Sequence, residues 1–243
     1  MRTAAPAGTP CDLSIIVVNY NTAHLLDEMF AAVEAASGTL SVQTIVVDNA
    51  SRDGSAALLS ERYPDVELIA NTENVGFGRA NNQALARARG RYLLLLNTDA
   101  FVAAGGIERT VRYLDANPEV HVLGVRLVGR DGTLQPSCRY FPTPWNEFLV
   151  RTGLERVFRG TRLVDDMRWD HASVRECDWV PGCYFCCARP SSTASACSTR
   201  ATSSTTRRST TAGRTRRSAA RSCTTLTPPS SISAARAQSP IRR

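Results

Sequence analysis

The amino-acid sequence predicts an α/β protein whose mostly parallel sheet is covered by helices on both faces. Short runs of β-branched and other apolar residues alternate with segments in which apolar residues recur every three or four positions, as in repeated strand–helix units. The apolar runs are unbroken, which is typical of strands buried on both faces. The 243 residues are enough for one domain with a full core.

The predicted strands and helices follow one another in a regular order. The run 14–20 (SIIVVNY) is a strand, and Thr22 is expected to cap a helix whose apolar positions continue to Val33. The other predicted strands are 42–48, 66–70, 92–96 and 120–125, and the other helices are a short one ending at Leu59, then 76–89 and 105–116.

The pattern changes after Leu127. Pro, aromatic and polar residues follow without a clear period, which predicts a loop-rich lobe over the edge of the sheet. A return to a strand is expected within 178–185 (DWVPGCYF), and no regular structure is expected after Phe185.

The last quarter of the chain differs in composition from the rest. The net charge is +7, but residues 186–243 contain eleven Arg and no Asp, Glu or Lys, which leaves 18 basic and 22 acidic residues in 1–185. The tail 186–243 is rich in Ser, Thr, Arg, Ala and Pro, so it is predicted to be disordered. Its Arg residues would attract nucleic acid without sequence preference, but stacking aromatics are absent, and no nucleic-acid partner is expected.

Nothing in the sequence predicts secretion, a membrane span or a metal–cysteine centre. No run approaches the roughly 18 consecutive apolar residues of a span, and the opening MRTAAPAGTPCDL lacks an apolar signal core. A cytoplasmic protein is expected, and peripheral association with the inner face of the plasma membrane is left open. The eight Cys show no second pair at zinc-site spacing, which favours reduced thiols.

Polar residues stand where the predicted parallel strands end, at the edge of the sheet where ligands bind in such folds. They are Asn19, Asp48, Asn97 and Asp99. Asp99 could hold Mg²⁺ or Mn²⁺, or instead cap the helix near Gly105 or lie in solvent. Asp48 could accept hydrogen bonds from a ribose, or instead stabilise the turn that follows it.

A glycine-punctuated turn, Gly76-Phe-Gly78, opens a predicted helix, and exposed helix N-termini attract phosphate. A dinucleotide-binding fingerprint would need a third Gly where Asn81 stands and would follow the first strand, so that function is not favoured. Asn81 and Asn82 could equally be surface amides without a role. No phosphate-binding GxxxxGK[ST] motif is present, and the chain contains no Lys, which excludes a P-loop nucleotidase.

Four ordered blocks carry a resemblance to a known family: SIIVVNYN, VVDNASRDGS, NVGFGRANNQAL and LLLLNTDA. They resemble the bacterial family 2 glycosyltransferases of the GT-A fold, most closely the rhamnosyltransferase-type members that build cell-surface polysaccharides. The later stretches DGTLQPSCRYFPT and DWVPGCYF are also similar to blocks of that family. The resemblance covers residues 12–185, which are therefore expected to form the glycosyltransferase domain.

The resemblance implies transfer of a sugar, with rhamnose as one candidate, from a nucleotide-diphosphate donor to a saccharide or lipid-linked saccharide acceptor. Asn97-Thr98-Asp99 matches the N-x-D form of the family signature, which implies that Asp99 is the ligand of Mg²⁺ or Mn²⁺ and that Asn97 contacts either the donor sugar or the groups that surround the metal. By the same matching, the nucleoside pocket is lined by Val18, Asn19 and Asp48. The residues implied to flank the base, ribose and phosphates are Asn74, Gly78, Arg79 and Asn82.

The chain departs from the family pattern after DWVPGCYF. The family continues with a strongly acidic signature that supplies the base for the acceptor hydroxyl, whereas residues 186–243 contain no acid. Shifting the codons of 197–210 by one base, with synonymous choices only, permits F-D-P-R-Y-F-L-Y-Y-E-E-V-D. We therefore hypothesise that a one-base shift between about residues 179 and 186 left the domain incomplete and appended an out-of-frame peptide. Impaired transfer is expected, with a non-catalytic nucleotide-sugar binder as the alternative.

Overall fold

The computed structural model describes residues 9–129, 131–158, 171 and 173–189, together with two short strands further on. The described strands are β1 (Cys11–Asn19), β2 (Val42–Asp48), β3 (Glu67–Ala70), β4 (Gly90–Asn97), β5 (Ala100–Phe101), β6 (Val122–Val125), β7 (Leu127–Val128), β8 (Leu134–Gln135), β9 (Arg175–Cys177), β10 (Tyr184–Ala188), β11 (Cys223–Leu226) and β12 (Ala235–Arg236). The described α-helices are α1 (Ala23–Ser37), α2 (Ser55–Arg62), α3 (Phe77–Leu85), α4 (Gly106–Ala116) and α5 (Pro144–Thr152), and a short 3₁₀ turn covers Leu154–Arg156.

The central sheet has the strand order β3-β2-β1-β4-β10-β6-β11-β9. The first four of these strands are parallel to one another, and β10 lies antiparallel between β4 and β6. The chain moves outward from β1 through β2 to β3 and then returns to β4 on the other side of β1. This reversal creates a switch point between β1 and β4, the usual position of a ligand crevice in a doubly wound sheet.

The four consecutive leucines of β4 show why its apolar run is unbroken. Successive strand side chains point to opposite faces of a sheet. Leu94 and Leu96 belong to the core cluster that includes α1 and α4, whereas Leu93 and Leu95 belong to the cluster that includes α3. Each face of the strand is thus covered by helices, as the sequence predicted.

The start of β4 is fixed by a close approach to β1. A Cβ atom on Gly90 would lie 2.3 Å from the backbone nitrogen of Ser14, so only glycine fits at this rung. The hydroxyl of Ser14, which is fully buried, accepts a hydrogen bond from the Gly90 N–H at 2.8 Å and donates to Gln43 of β2 at 2.6 Å. These contacts join three strands in one register at the amino ends, and so align their carboxyl ends.

The structure differs from the prediction in the lengths of several elements. The helix predicted over 76–89 ends at Leu85, and the strand predicted over 120–125 begins at Val122. The lobe after Leu127, predicted to be rich in loops, contains the unpredicted helix α5. The side chains of Thr143 and Asn146 each accept a hydrogen bond from the other's backbone N–H, and Pro144 occupies the first helical position. This capping box was a signal in the sequence that the prediction missed.

The end of the predicted domain also differs. Strand β10 continues to Ala188, past the boundary predicted at residue 185, because it pairs with β4 on one side and β6 on the other. Within the predicted tail, β11 pairs with β6 and β9, and β12 pairs with β5, although no strand was predicted there. Residues 190–222, 227–234 and 237–243 lie outside the described residues, so the domain boundary and the disordered tail stay predictions.

Candidate functional site

The carboxyl ends of β1, β2 and β4 bring the predicted polar residues to one edge of the sheet. Asn19 is in register with Asp48, and Val18 is in register with Asn97. Residues that are up to 79 positions apart in the sequence are therefore neighbours, and Asp99 follows directly after β4. The sheet places this edge at the switch point between β1 and β4.

Asn19 and Asp48 form a buried side-chain pair beneath this edge. They are 0% and 2% exposed, and the Asn19 amide donates to Asp48 Oδ1 at 2.7 Å and to Ser51 Oγ at 3.0 Å. Asp48 Oδ2 accepts the backbone N–H of Ser51 at 3.1 Å. The carboxylate therefore stabilises the turn that follows β2, which was one of its two predicted roles, while its contact with a ribose stays a prediction.

Thr22 belongs to the same network. The sequence predicted that Thr22 caps α1, and it does occupy the N-cap position, but its side chain makes no capping hydrogen bond. Its hydroxyl lies 2.5 Å from Asn19 Oδ1 and 3.1 Å from the hydroxyl of Thr98. The first N–H of α1, on Ala23, instead donates to Asp53 Oδ2 at 2.7 Å. Burial acts to raise the pKa of Asp53, but hydrogen bonds from Ser55 and from Ala23 outweigh it and hold that pKa below its ordinary value.

An amide bridge ties the end of β2 to the turn before α3. Asn49, which is 3% exposed, donates from its side chain to Asn74 Oδ1 at 2.7 Å and accepts the Val75 N–H at 3.0 Å. Asn74 Oδ1 also accepts the Gly76 N–H at 2.9 Å, and the φ of +83° at Gly76 suits glycine. Asn49 was not among the site residues predicted from the sequence, although an amide directly after a strand-ending Asp was a usable signal.

The amino end of α3 presents three of the predicted donor-binding residues at the surface. Gly78, Arg79 and Asn82 are exposed, and a Cβ atom on Gly78 would meet nothing within 4 Å. Asn81 is different, because it is 2% exposed and donates to the Phe77 carbonyl at 2.9 Å. It is therefore an internal amide of the helix, and the interpretation of Asn81 as a surface amide is wrong.

The stretch from Asn97 to Asp99 forms the rim of the edge. Asn97 and Asp99 are half-buried, Thr98 is buried, and the Asn97 N–H donates to the carbonyl of Cys183 at 3.1 Å. Helix α4 begins after Gly105, whose φ of +68° suits glycine, and the alternative in which Asp99 caps that helix stays a prediction. Asp99 is thus a carboxylate at the end of a central strand, beside the switch point.

The side chains at this edge suit a metal ion that takes only some of its ligands from the protein. Among the described residues, no three His, Cys, Asp or Glu side chains come together as a ready-made metal site. Mg²⁺ and related hard cations are often bound by one or two carboxylates and complete their shell with substrate phosphates and water. Asp99, a half-buried carboxylate directly after β4, is of the residue type that such a role requires.

None of the helices in the described part of the chain has both the length and the apolar character needed to cross a bilayer.

The sheet order and the polar rim at the carboxyl ends define a doubly wound α/β protein with a polar edge at its switch point. The family model described as Glycosyl transferase family 2 matches residues 14–167. The chain therefore belongs to glycosyl transferase family 2, which confirms the family and the GT-A fold class predicted from the four sequence blocks.

Individual relatives are similar over part of their length. The chain is 26% identical over 156 residues to N-acetylglucosaminyl-diphospho-decaprenol L-rhamnosyltransferase of Mycobacterium tuberculosis, covering 60% of this chain and 49% of that protein. It is 33% identical over 125 residues to succinoglycan biosynthesis protein ExoO of Rhizobium meliloti, covering 50% and 35%. The chain thus spans about half the length, or less, of these curated relatives.

A solved structure with partial overlap is the mannosyltransferase PcManGT from Pyrobaculum calidifontis in complex with GDP-Man and Mn²⁺. The TM-score is 0.43 at 29% sequence identity, with 52% of this chain and 38% of that chain covered.

Proposed function

We propose that this chain is a nucleotide-sugar-dependent glycosyltransferase that binds its donor at the carboxyl edge of β1, β2 and β4. Membership of glycosyl transferase family 2 supports the reaction class. The single observation that carries the assignment to this edge is the convergence of Asn19, Asp48, Asn97 and Asp99 there from three separate strands. Saccharides or lipid-linked saccharides of cell-surface polysaccharide synthesis are the proposed acceptors, and rhamnose is the proposed sugar, by similarity to the mycobacterial relative.

Each predicted residue has a proposed role that agrees with its burial. Asn19 and Asp48 form the rigid floor of the nucleoside pocket, since their side chains are buried and bonded to each other. Val18 and Asn97, which are half-buried and in register on the neighbouring strands β1 and β4, line the pocket above them. The residues proposed to reach the base, ribose and phosphates from the turn and from α3 are Asn74, Gly78, Arg79 and Asn82.

Asp99 is proposed to hold Mg²⁺ or Mn²⁺ together with the donor diphosphate. When bound, the ion supplies positive charge that stabilises the departing diphosphate. Arg79, which is exposed at the amino end of α3, adds a fixed positive charge on the same side as the unpaired N–H groups of that helix end. These groups attract phosphate whether or not the metal is bound.

Titration calorimetry with and without Mn²⁺ tests this proposal. The ligands are deoxythymidine-, uridine- and guanosine-diphosphate sugars, and one of them should bind with Mn²⁺-dependent affinity. Asp99→Ala should abolish the Mn²⁺ dependence, and direct Mn²⁺ titration followed by electron paramagnetic resonance should show the same loss. Asp65→Ala is the matched control, because Asp65 is exposed in the turn before β3, at the opposite end of the sheet. Unchanged metal-dependent affinity in Asp99→Ala would remove Asp99 from the site.

Transfer is proposed to be impaired in this chain, because residues 186–243 contain no Asp or Glu that could accept the proton of the acceptor hydroxyl. General-base assistance is commonly worth about 10²–10⁴ in rate. The same observation favours the second candidate, a nucleotide-sugar binder without turnover. An assay of sugar transfer and of donor hydrolysis separates the two, since a pure binder shows affinity but releases no nucleoside diphosphate.

The missing acids are proposed to result from a one-base shift between about residues 179 and 186. The support is that the codons of 197–210, shifted by one base, permit the acidic block expected of the family. The nucleotide sequence of the gene tests this directly, because a stop codon in the shifted frame before that block contradicts the proposal. If the proposal is right, a frame-corrected protein should transfer sugar at least about 10²-fold faster than this chain.

A further inference from the structure

Helix α5 and the turn after it carry a cluster of exposed aromatic rings, here called the aromatic patch and defined as Trp145, Phe148 and Phe158. Their exposed fractions are 53%, 48% and 46%. The centroid of the Trp145 ring lies 5.9 Å from that of Phe148 and 5.8 Å from that of Phe158. Single exposed apolar residues are ordinary, but three touching rings at the surface are typical of a binding surface.

Helix α5 buries only part of its apolar stripe. Leu149 is 0% exposed and, with Asn146 at 3%, attaches the helix to the protein. Trp145 and Phe148, which are four residues and one residue before Leu149, belong to the same stripe but remain about half exposed. Phe141 and Val157, which are 62% and 73% exposed, precede and follow the helix. The apolar stripe is therefore wider than the part that the protein covers, which leaves apolar surface for a partner.

The charge of the chain indicates which partner fits. The basic charge lies in the tail 186–243, which carries eleven Arg without a single acid, whereas residues 1–185, which carry the patch, contain 18 basic and 22 acidic residues. Within the helix, Arg151 adds an exposed cation in the last turn. Basic segments are drawn to anionic bilayers by about 1 kcal/mol per Lys or Arg near the surface, and Trp and Phe insert at the level of the headgroups.

The tail itself is a poor cover for the rings. From residue 190 onward it has no aromatic residue, and its only Leu, Ile, Val or Met side chains are Leu226, Ile232 and Ile241. Its composition offers charge to a partner but little apolar surface to the patch.

We propose that the aromatic patch docks on the surface of an anionic lipid bilayer. The three rings supply the apolar contact, and the basic residues of the chain supply the attraction to anionic headgroups. Stable peripheral binding generally needs two such signals together. The proposal goes beyond the proposed function and needs neither nucleotide nor metal, so its test is independent of donor binding.

Vesicle co-sedimentation of the full chain tests the proposal. The vesicles are phosphatidylcholine with phosphatidylglycerol, compared with phosphatidylcholine alone. At about 0.5 M salt the Debye length is only roughly 4 Å, so the contribution of the Arg-rich tail is suppressed and the aromatic contribution is isolated. Under these conditions the double variant Trp145→Ser/Phe148→Ser should bind on the order of tenfold or more weakly. The matched control is Tyr20→Ser, because Tyr20 is 50% exposed but lies outside the patch.

A second measurement locates the ring in the bilayer even if the double variant is unstable. The emission of Trp145 is obtained by subtracting the tryptophan fluorescence of the Trp145→Phe variant, which keeps an apolar ring at that position, from that of the unchanged chain. Lipids brominated in the acyl chains should quench this Trp145 emission. Three outcomes would overturn the proposal: no such quenching; protection of Trp145 from a soluble quencher without lipid, which indicates cover by the chain itself; or a concentration-dependent dimer that the double variant abolishes.

Discussion

Replacing Asn19 by alanine tests whether the ligand edge depends on the buried amide–carboxylate pair. The side chain of Asn19 is fully buried and makes three hydrogen bonds, which are two donations, to Asp48 and Ser51, and one acceptance from Thr22. The variant removes all three and leaves Asp48, which is 2% exposed, with its backbone bond from Ser51. The carboxylate would then be buried with one oxygen lacking its partner.

The expected cost follows from these contacts. A hydrogen bond to a charged group contributes about 1.5–3 kcal/mol, and a neutral one contributes about 1 kcal/mol. The free energy of unfolding should therefore fall by about 3.5–5 kcal/mol, a large part of the 5–15 kcal/mol typical of a domain. Asn19→Asp, which keeps the shape but sets a second carboxylate beside Asp48 Oδ1, should destabilise the protein at least as strongly at neutral pH.

Urea unfolding followed by circular dichroism measures these differences through the transition midpoint at constant m-value. Asn82→Ala is the matched control, because Asn82 is exposed on α3, and it should change stability by less than about 0.5 kcal/mol. If Asn19→Ala is as mild as this control, the Asn19–Asp48 pair does not hold the edge together and the proposed floor of the pocket is wrong.

Two further predictions concern stability. Burial, followed by the hydrogen bond to Asp27, raises the pKa of Tyr63 to about 12, so its contribution to stability is present below the ordinary value of 10.0 and is lost as the pH rises through about 12. Tyr63→Phe should therefore show a shallower loss of unfolding free energy over this alkaline range in denaturation curves; an unchanged slope contradicts the coupling. Gly90→Ala should cost about 3 kcal/mol, because its Cβ would lie 2.3 Å from the backbone of β1, whereas Gly78→Ala should stabilise α3 by about 0.5–1 kcal/mol. Equal effects of the two substitutions in urea unfolding would refute this contrast.

The sequence predicted best where one local pattern decides the structure. The bounds of β2 agree residue for residue with the prediction, because an unbroken β-branched run bounded by turn residues has few alternatives. The four leucines of β4 were correctly taken as buried on both faces for the same reason. Parallel strands ending in polar residues then sufficed to predict that these residues lie at one edge of the sheet, while the binding of a ligand there stays a prediction.

Prediction was poorer where long-range contacts decide the structure. Thr22 has the residue type of a helix cap, but its hydroxyl bonds to Asn19 and Thr98, a contact that no local pattern encodes. The amide bridge from Asn49 to Asn74 likewise joins residues that only the sheet brings together. Helix α5 is the exception, because its capping box was local and could have been recognised.

The order of the elements along the chain separates donor binding from transfer. Every residue proposed for the donor site lies before residue 100, on β1, β2, β4, the intervening turns and α3. The neighbouring strand β10 is anchored independently of the later residues, since Tyr184 is 1% exposed and its hydroxyl lies 2.9 Å from that of Thr110 on α4. The acids that could activate an acceptor are absent from residue 186 onward. If the proposed donor site is right, the two halves of the reaction depend on different parts of the chain, and we expect a change after residue 186 to abolish transfer while the edge keeps its buried pair, its amide bridge and Asp99.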